Sequence, residues 1–168
     1  LHDMARKGRL DVPGVGVADT PLDTDGLRAR VRDSLQTAED IDPAAFARLA
    51  SLVRYVRGSY DDPATFASLR RELAGAGRPL FYMAIPPGMF ATVVAQLRAS
   101  ALTAGARIMV EKPFGRDLAS ARALNRELAS AFPEEAIFRI DHFLGKEPVM
   151  NLFYLRFAHA VVEPLWNH

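Results

Sequence analysis

Short apolar runs alternate along this chain with longer stretches whose apolar residues recur every three or four positions. Leu1 to Gly8 reads as the tail of a helix, with Arg6 and Lys7 in its last turn and Gly8 as the stop. Val12 to Ala18 is a short apolar run and a predicted strand, with Asp19 at its carboxyl end. Leu27, Val31 and Leu35 recur at helical spacing, and Asp42 to Leu52 continues the pattern with Phe46 and Leu49. Ser51 to Val56 holds a second short strand. Gly58 to Pro63 forms a loop, and Phe66, Leu69 and Leu73 mark the next helix, which Gly75 and Gly77 end. Pro79 to Ile85 reads as the clearest buried strand. Phe90 to Leu102 is a helix with Val93, Val94 and Leu97 on one side, and Arg107 to Val110 is the next strand. Asp117 to Phe132 is a helix capped by Asp117 and closed before Pro133. Ala136 to Ile140 is the last strand and reads as buried at its start. Beyond it, Val149 to Leu155 suits a packed helix with Pro148 in its first turn. Strands alternating with helices of these lengths imply parallel βαβ units, an α/β fold with the strands' carboxyl ends on one rim.

Composition narrows the classes. With 168 residues the chain can bury a real core, and one domain is the first expectation. A net charge of +1 gives no electrostatic reason to expect nucleic acid or an anionic membrane as partner. There is no cysteine, hence no disulfide and no thiolate metal site. No signal peptide and no long uncharged apolar span stands out, so a cytoplasmic protein is the expectation. The chain opens at Leu1 rather than Met, inside a helix tail, and is read as a piece of a longer protein.

The chemistry gathers after the last strand. Asp141, His142 and Lys146 arrive within six residues, followed by a helix start. A helix N-terminus offers free N–H groups and a positive dipole end. With Lys146 and a protonatable His142 this makes a site for a dianionic phosphate. On pattern alone, a capping Asp and a surface His explain the same residues.

These residues carry a resemblance. Arg139-Ile140-Asp141-His142-Phe143-Leu144-Gly145-Lys146-Glu147 resembles the substrate signature of the glucose-6-phosphate dehydrogenase family. Met109 to Leu118, containing Glu111-Lys112-Pro113-Phe114-Gly115, resembles a second signature, and Phe81 to Pro87 a third. The resemblance runs from Gly8 to Asn167. It implies a Rossmann-like parallel sheet with helices on both faces. The family's first strand and Gly-rich pyrophosphate loop would precede Leu1, because Gly14-Val15-Gly16 lies within a strand. Residues 1–145 would form the truncated dinucleotide-binding domain. Residues 146–168 would open a substrate and dimerisation domain, with Trp166 and Asn167 as core packing.

The resemblance also assigns roles. His142 and Lys146 would hold the sugar phosphate, and Lys112 would contact both sugar and cofactor, with a cis bond before Pro113. Asp141 would orient a separate His base lying beyond His168; His2, His159 and His168 are read as structural or surface residues. Pro86 and Pro87 would place backbone along the cofactor, and Phe90 would pack on it where some relatives carry Tyr. Glu111 is read as the ion-pair partner of Lys112 or as a structural acid. Phe143 lacks the hydroxyl that a Tyr would bring to the phosphate. The implied activity is hydride transfer from C1 of glucose 6-phosphate to NAD(P), giving 6-phosphogluconolactone in the pentose phosphate pathway. No metal is implied, and the intact protein would be a homo-oligomer. The family's usual cofactor is NADP, but Asp19 stands where an Arg often holds the 2′-phosphate, which argues for NAD. The chain alone is expected to be inactive. Two alternatives stand beside this: a Glu-Lys-Pro sugar oxidoreductase of another Rossmann family, and a degenerate module that binds phosphosugar or nucleotide without catalysis.

Overall fold

The computed structural model describes residues 1–38 and 41–158. Helix α1 (His2–Arg6) precedes strand β1 (Gly14–Ala18), and helices α2 (Thr24–Ala38) and α3 (Pro43–Leu52) lead to β2 (Val53–Arg57). Helix α4 (Pro63–Glu72) connects to β3 (Leu80–Met83), and α5 (Phe90–Ala99) to β4 (Arg107–Glu111). Helix α6 (Leu118–Ala131) leads to β5 (Ile137–Ile140), and α7 (Glu147–Ala158) follows.

All described strand pairs are parallel, as the alternation predicts. The sheet is present as two pieces, β1-β2 and β3-β4-β5. No described strand pairs with the free edges of β1 and β3. Gly14 and Gly16 lie inside β1, so no described strand there runs into a Gly-rich turn and helix. One core serves both pieces: Val15, Val17 and Tyr60 pack on a cluster that includes Phe66, Met83, Val94, Ile108 and Val110.

Local chemistry sets the helix starts. Asp42 and Asp62 each precede a Pro at the first helical position, and each caps backbone N–H groups of its own helix. Asp42 Oδ1 accepts from Ala44 at 2.9 Å and Ala45 at 3.1 Å, and Asp62 Oδ1 accepts from Ala64 at 2.9 Å. Asp117 forms a reciprocal capping box with Ser120, accepting from its N–H at 2.8 Å.

Burial departs from expectation in three places. Among the described residues β3 pairs with β4 alone, with Leu80 and Tyr82 exposed and only Met83 buried. The buried strand is β4, which lies between two neighbours, with Ile108 and Val110 at 0% exposure. Burying side chains of this size contributes about 1.5–3 kcal/mol each. In β5 likewise only Ile137 is buried, while Phe138 is exposed. Helix α7 forms where predicted but is not packed: none of its described residues is buried, and Leu152, Phe153, Tyr154, Leu155 and Phe157 are exposed. Its apolar residues are spread around the helix rather than gathered on one stripe. Trp166, Asn167, His159 and His168 lie outside the described residues. His2 is buried, with Nε2 3.5 Å from the Asp42 carbonyl.

Candidate active site

The parallel register of β4 and β5 places Glu111 opposite Ile140, so the two strand ends stop side by side. The next residues on one side are Lys112, and on the other Asp141 and His142. They pair strand to strand. Lys112 Nζ donates to Asp141 Oδ2. His142 Nε2 lies 2.9 Å from Glu111 Oε1. The same Glu111 oxygen accepts from the Tyr82 hydroxyl of β3. Three neighbouring strands thus contribute one polar cluster at their carboxyl ends, the edge where open α/β sheets bind ligands.

Each carboxylate is tuned by its partners. The Lys112 ammonium, and then the backbone N–H of Phe143, hold Asp141 below the usual Asp range. The Tyr82 hydroxyl and then His142 do the same for Glu111. Asp141 Oδ1 accepts the Phe143 N–H at 2.9 Å, which fixes the turn carrying His142. Of the two readings of Glu111, partner of Lys112 or structural acid, the first does not hold: Lys112 pairs with Asp141 and Glu111 with His142, two pairs that cross between strands.

The backbone after Lys112 is equally determined. The Lys112–Pro113 bond is cis. Gly115 has φ +113°, and a Cβ there would stand 2.5 Å from the Ala121 nitrogen. Only glycine passes this close to the first turn of α6. Ser120 Oγ then accepts the Arg116 and Asp117 N–H groups at 2.9 and 3.0 Å, anchoring the loop to that helix.

Lys146 stands at the start of α7, its carbonyl accepting from Val149 and Met150 at 3.0 Å. Its Nζ lies 5.8 Å from the centre of the exposed Phe143 ring, a cation–π contact. Pro86 and Pro87 follow β3 and open a single 3₁₀ turn, with the Pro86 carbonyl accepting from Met89 at 2.9 Å. Phe90 begins α5. It is 2% exposed and belongs to the hydrophobic core, so it has no surface to offer a cofactor. Asp19 is exposed just past the end of β1. Arg28 is engaged elsewhere, donating to the Ala50 carbonyl at 2.8 Å and to Asp25 at 2.9 Å.

The family described as "Glucose-6-phosphate dehydrogenase, NAD binding domain" matches residues 1–151. The chain belongs to the glucose-6-phosphate dehydrogenase family. Glucose-6-phosphate 1-dehydrogenase 1 of Mycobacterium tuberculosis is 42% identical over 167 residues, 99% of this chain and 36% of that protein. The cytoplasmic isoform of Solanum tuberosum is 37% identical over 185 aligned positions, again 99% of this chain and 36% of the relative. The crystal structure of the Mycobacterium avium enzyme superposes with a TM-score of 0.89 at 42% identity, covering 98% of this chain and 36% of that one. A glucose-6-phosphate dehydrogenase in complex with its substrate glucose-6-phosphate superposes with a TM-score of 0.83 at 35% identity, covering 99% and 37%. The chain therefore spans about a third of the length of these relatives. Membership of this family sets aside the other Rossmann family whose members carry Glu-Lys-Pro. Among the described residues no helix is long and apolar enough to cross a membrane.

Sequence reasoning missed two residues of the site. Tyr82 was legible only as part of a strand, and its hydroxyl matters because β3 pairs with β4 in register. Gly115 carried a signal, a glycine two residues after Pro113 and shortly before a capped helix, but nothing in the sequence shows how near α6 would come.

Proposed function

We propose that this chain is the nucleotide-binding portion of an NAD(P)-dependent glucose-6-phosphate dehydrogenase. The observation that carries the reading is the paired cluster of Lys112 with Asp141 and Glu111 with His142 at the strand ends. In the reaction, C1 of glucose 6-phosphate loses a hydride and its hydroxyl loses a proton, giving 6-phosphogluconolactone. The hydride acceptor is supplied by the nicotinamide cofactor when bound. The donor set suits the two ends of such a cofactor: the exposed Asp19 carboxylate can accept from a ribose hydroxyl, and the Lys112 ammonium stands at the rim near Asp141. The pyrophosphate loop is not among the described residues.

His142 and Lys146 bind the substrate phosphate, and Lys112 orients the sugar. Asp141 holds Lys112 in place and orients the His base that takes the C1 hydroxyl proton. Pro86 and Pro87 lie along the cofactor. Residues 1–145 form the nucleotide-binding domain, and α7 opens the substrate and dimerisation domain, which covers its exposed apolar residues. The intact protein is a cytoplasmic homo-oligomer, and Asp19 selects NAD over NADP. The test is turnover of glucose 6-phosphate against glucose by a protein of the relatives' full length that carries this chain. Preference for the phosphorylated sugar is expected, and equal activity on both refutes the reading.

A further inference from the structure

The mechanism above leaves one charged group of the cluster without a task. Glu111 is not needed by Lys112, which Asp141 holds. Instead Glu111 Oε1 receives two groups: the Tyr82 hydroxyl from β3, and His142 Nε2 at 2.9 Å from beyond β5. The His142 side chain is 74% exposed. An ion pair this open contributes little to stability, so stability alone does not account for it.

We infer that Glu111 is a positioning residue for the phosphate-binding imidazole, and that Tyr82 locks the carboxylate that does the positioning. This rests on the reading of His142 as a phosphate ligand. A carboxylate at Nε2 requires the proton to sit on that nitrogen. The nitrogen left for the phosphate is Nδ1. A bare Nδ1 lone pair would repel an anion, so Nδ1 must also carry a proton, and the ring binds phosphate as the imidazolium. Glu111 holds the Nε2 side of the ring and fixes the ring plane. The other charged residues of the cluster are Lys112, which follows β4, and Asp141 and Lys146 on either side of His142 in sequence. Lys112 and Asp141 neutralise each other, and Lys146 faces the Phe143 ring. Glu111 is therefore the carboxylate committed to His142. It is ionised through the neutral range, its proton affinity lowered by Tyr82 and His142.

The experiment uses the full-length protein that carries this chain, with glucose 6-phosphate as the probe. Calorimetry gives Kd and steady-state kinetics give KM and kcat for parent, Glu111→Gln, Tyr82→Phe, His142→Gln and the double variant Glu111→Gln/His142→Gln. Glu111→Gln keeps an acceptor oxygen but removes its charge, and should raise Kd and KM by about 5- to 30-fold, less than the full value of a charge-assisted contact, with kcat changed far less. Tyr82→Phe, which removes a single hydroxyl from an exposed ring, should raise them in the same direction by a smaller factor. In the His142→Gln background Glu111→Gln should add nothing, because Glu111 acts through that ring. Multiplicative effects in the double variant overturn the inference, as does a Glu111→Gln protein with unchanged Kd. A parent protein that binds no glucose 6-phosphate overturns the functional reading itself, which separates the two failures.

Discussion

Asp19 offers the sharpest test of how this chain reads its cofactor. Its carboxylate is exposed just past the end of β1, where a dinucleotide fold places the group that meets the adenosine ribose. An acid there accepts from a ribose 2′-hydroxyl and repels a 2′-phosphate. Two unit charges about 4 Å apart repel by roughly 4 kcal/mol at an effective dielectric near 20, and by roughly 1 kcal/mol in bulk water. Exposure puts Asp19 between these limits, and about 2 kcal/mol corresponds to a preference of roughly 30-fold for NAD. Of the two arginines that could meet a 2′-phosphate instead, Arg28 and Arg30, Arg28 is bound to Asp25 and the Ala50 carbonyl and would have to give up those bonds to reach it. The assay is kcat/KM for NAD and NADP with the full-length parent, Asp19→Asn and Asp19→Arg. The parent should favour NAD, Asp19→Asn should lose most of that preference, and Asp19→Arg should reverse it. High salt should narrow the parent's preference, because exposed charges are screened over about 10 Å at 0.1 M. A strong NADP preference in the parent that Asp19→Arg leaves unchanged would refute the reasoning.

Three other outcomes are expected. His142→Ala or Lys146→Ala should each raise KM for glucose 6-phosphate about 10- to 150-fold, the value of one charge-assisted contact, while Asp141→Asn should lower kcat with little change in KM; steady-state kinetics in which all three change only kcat would reverse the assignment. Gly115→Ala should destabilise the fold by roughly 1–3 kcal/mol from its φ of +113° alone, with the 2.5 Å approach to Ala121 adding to it, and an unchanged denaturant midpoint would show the loop to be free to move. Asp141 has its folded-state pKa depressed, so its pairing stabilises the protein above the unfolded value near 3.9 and is lost as the pH falls through the folded value. Asp141→Asn should thus be less stable than the parent at neutral pH and converge on it in acid, and a gap independent of pH would contradict this.

Much of the fold was legible because local chemistry and burial agree. The strand and helix order came through, and so did the Asp-Pro helix starts at Asp42 and Asp62, since a capping side chain next to a Pro is a local signal. What was not legible depends on neighbours. Pro79 to Ile85 is as apolar as β4, but among the described residues it has one strand neighbour where β4 has two, and Leu80 and Tyr82 are exposed. By resemblance Phe90 would pack on the cofactor, but its side chain is 2% exposed and lies in the core. Within the site, Glu111, Lys112, Asp141 and His142 were visible, but Tyr82 and the pairing were not. Glu111 and Lys112 are adjacent in sequence, yet strand alternation sends adjacent side chains to opposite faces. Each finds its counter-charge on the next strand.

That arrangement also bears on register. In the observed pairing Glu111 faces Ile140, so the following residues bring Lys112 level with Asp141. Sliding β5 by one residue so that Asp141 came opposite Glu111 would set acid against acid, and Lys112 would then meet His142, cation against potential cation. The same slip would turn Ile137 out of the core, since a one-residue shift moves every side chain to the other face. Burial therefore sets the register, and the solvent-open charge pairs, worth little to stability, agree with it. Replacing Glu111 and Lys112 by each other would keep composition and net charge while placing like charges level with Asp141. The buried Ile108, Val110 and Ile137 should hold the strand alignment in that exchange, so a loss of glucose 6-phosphate turnover with an unchanged denaturant midpoint is expected.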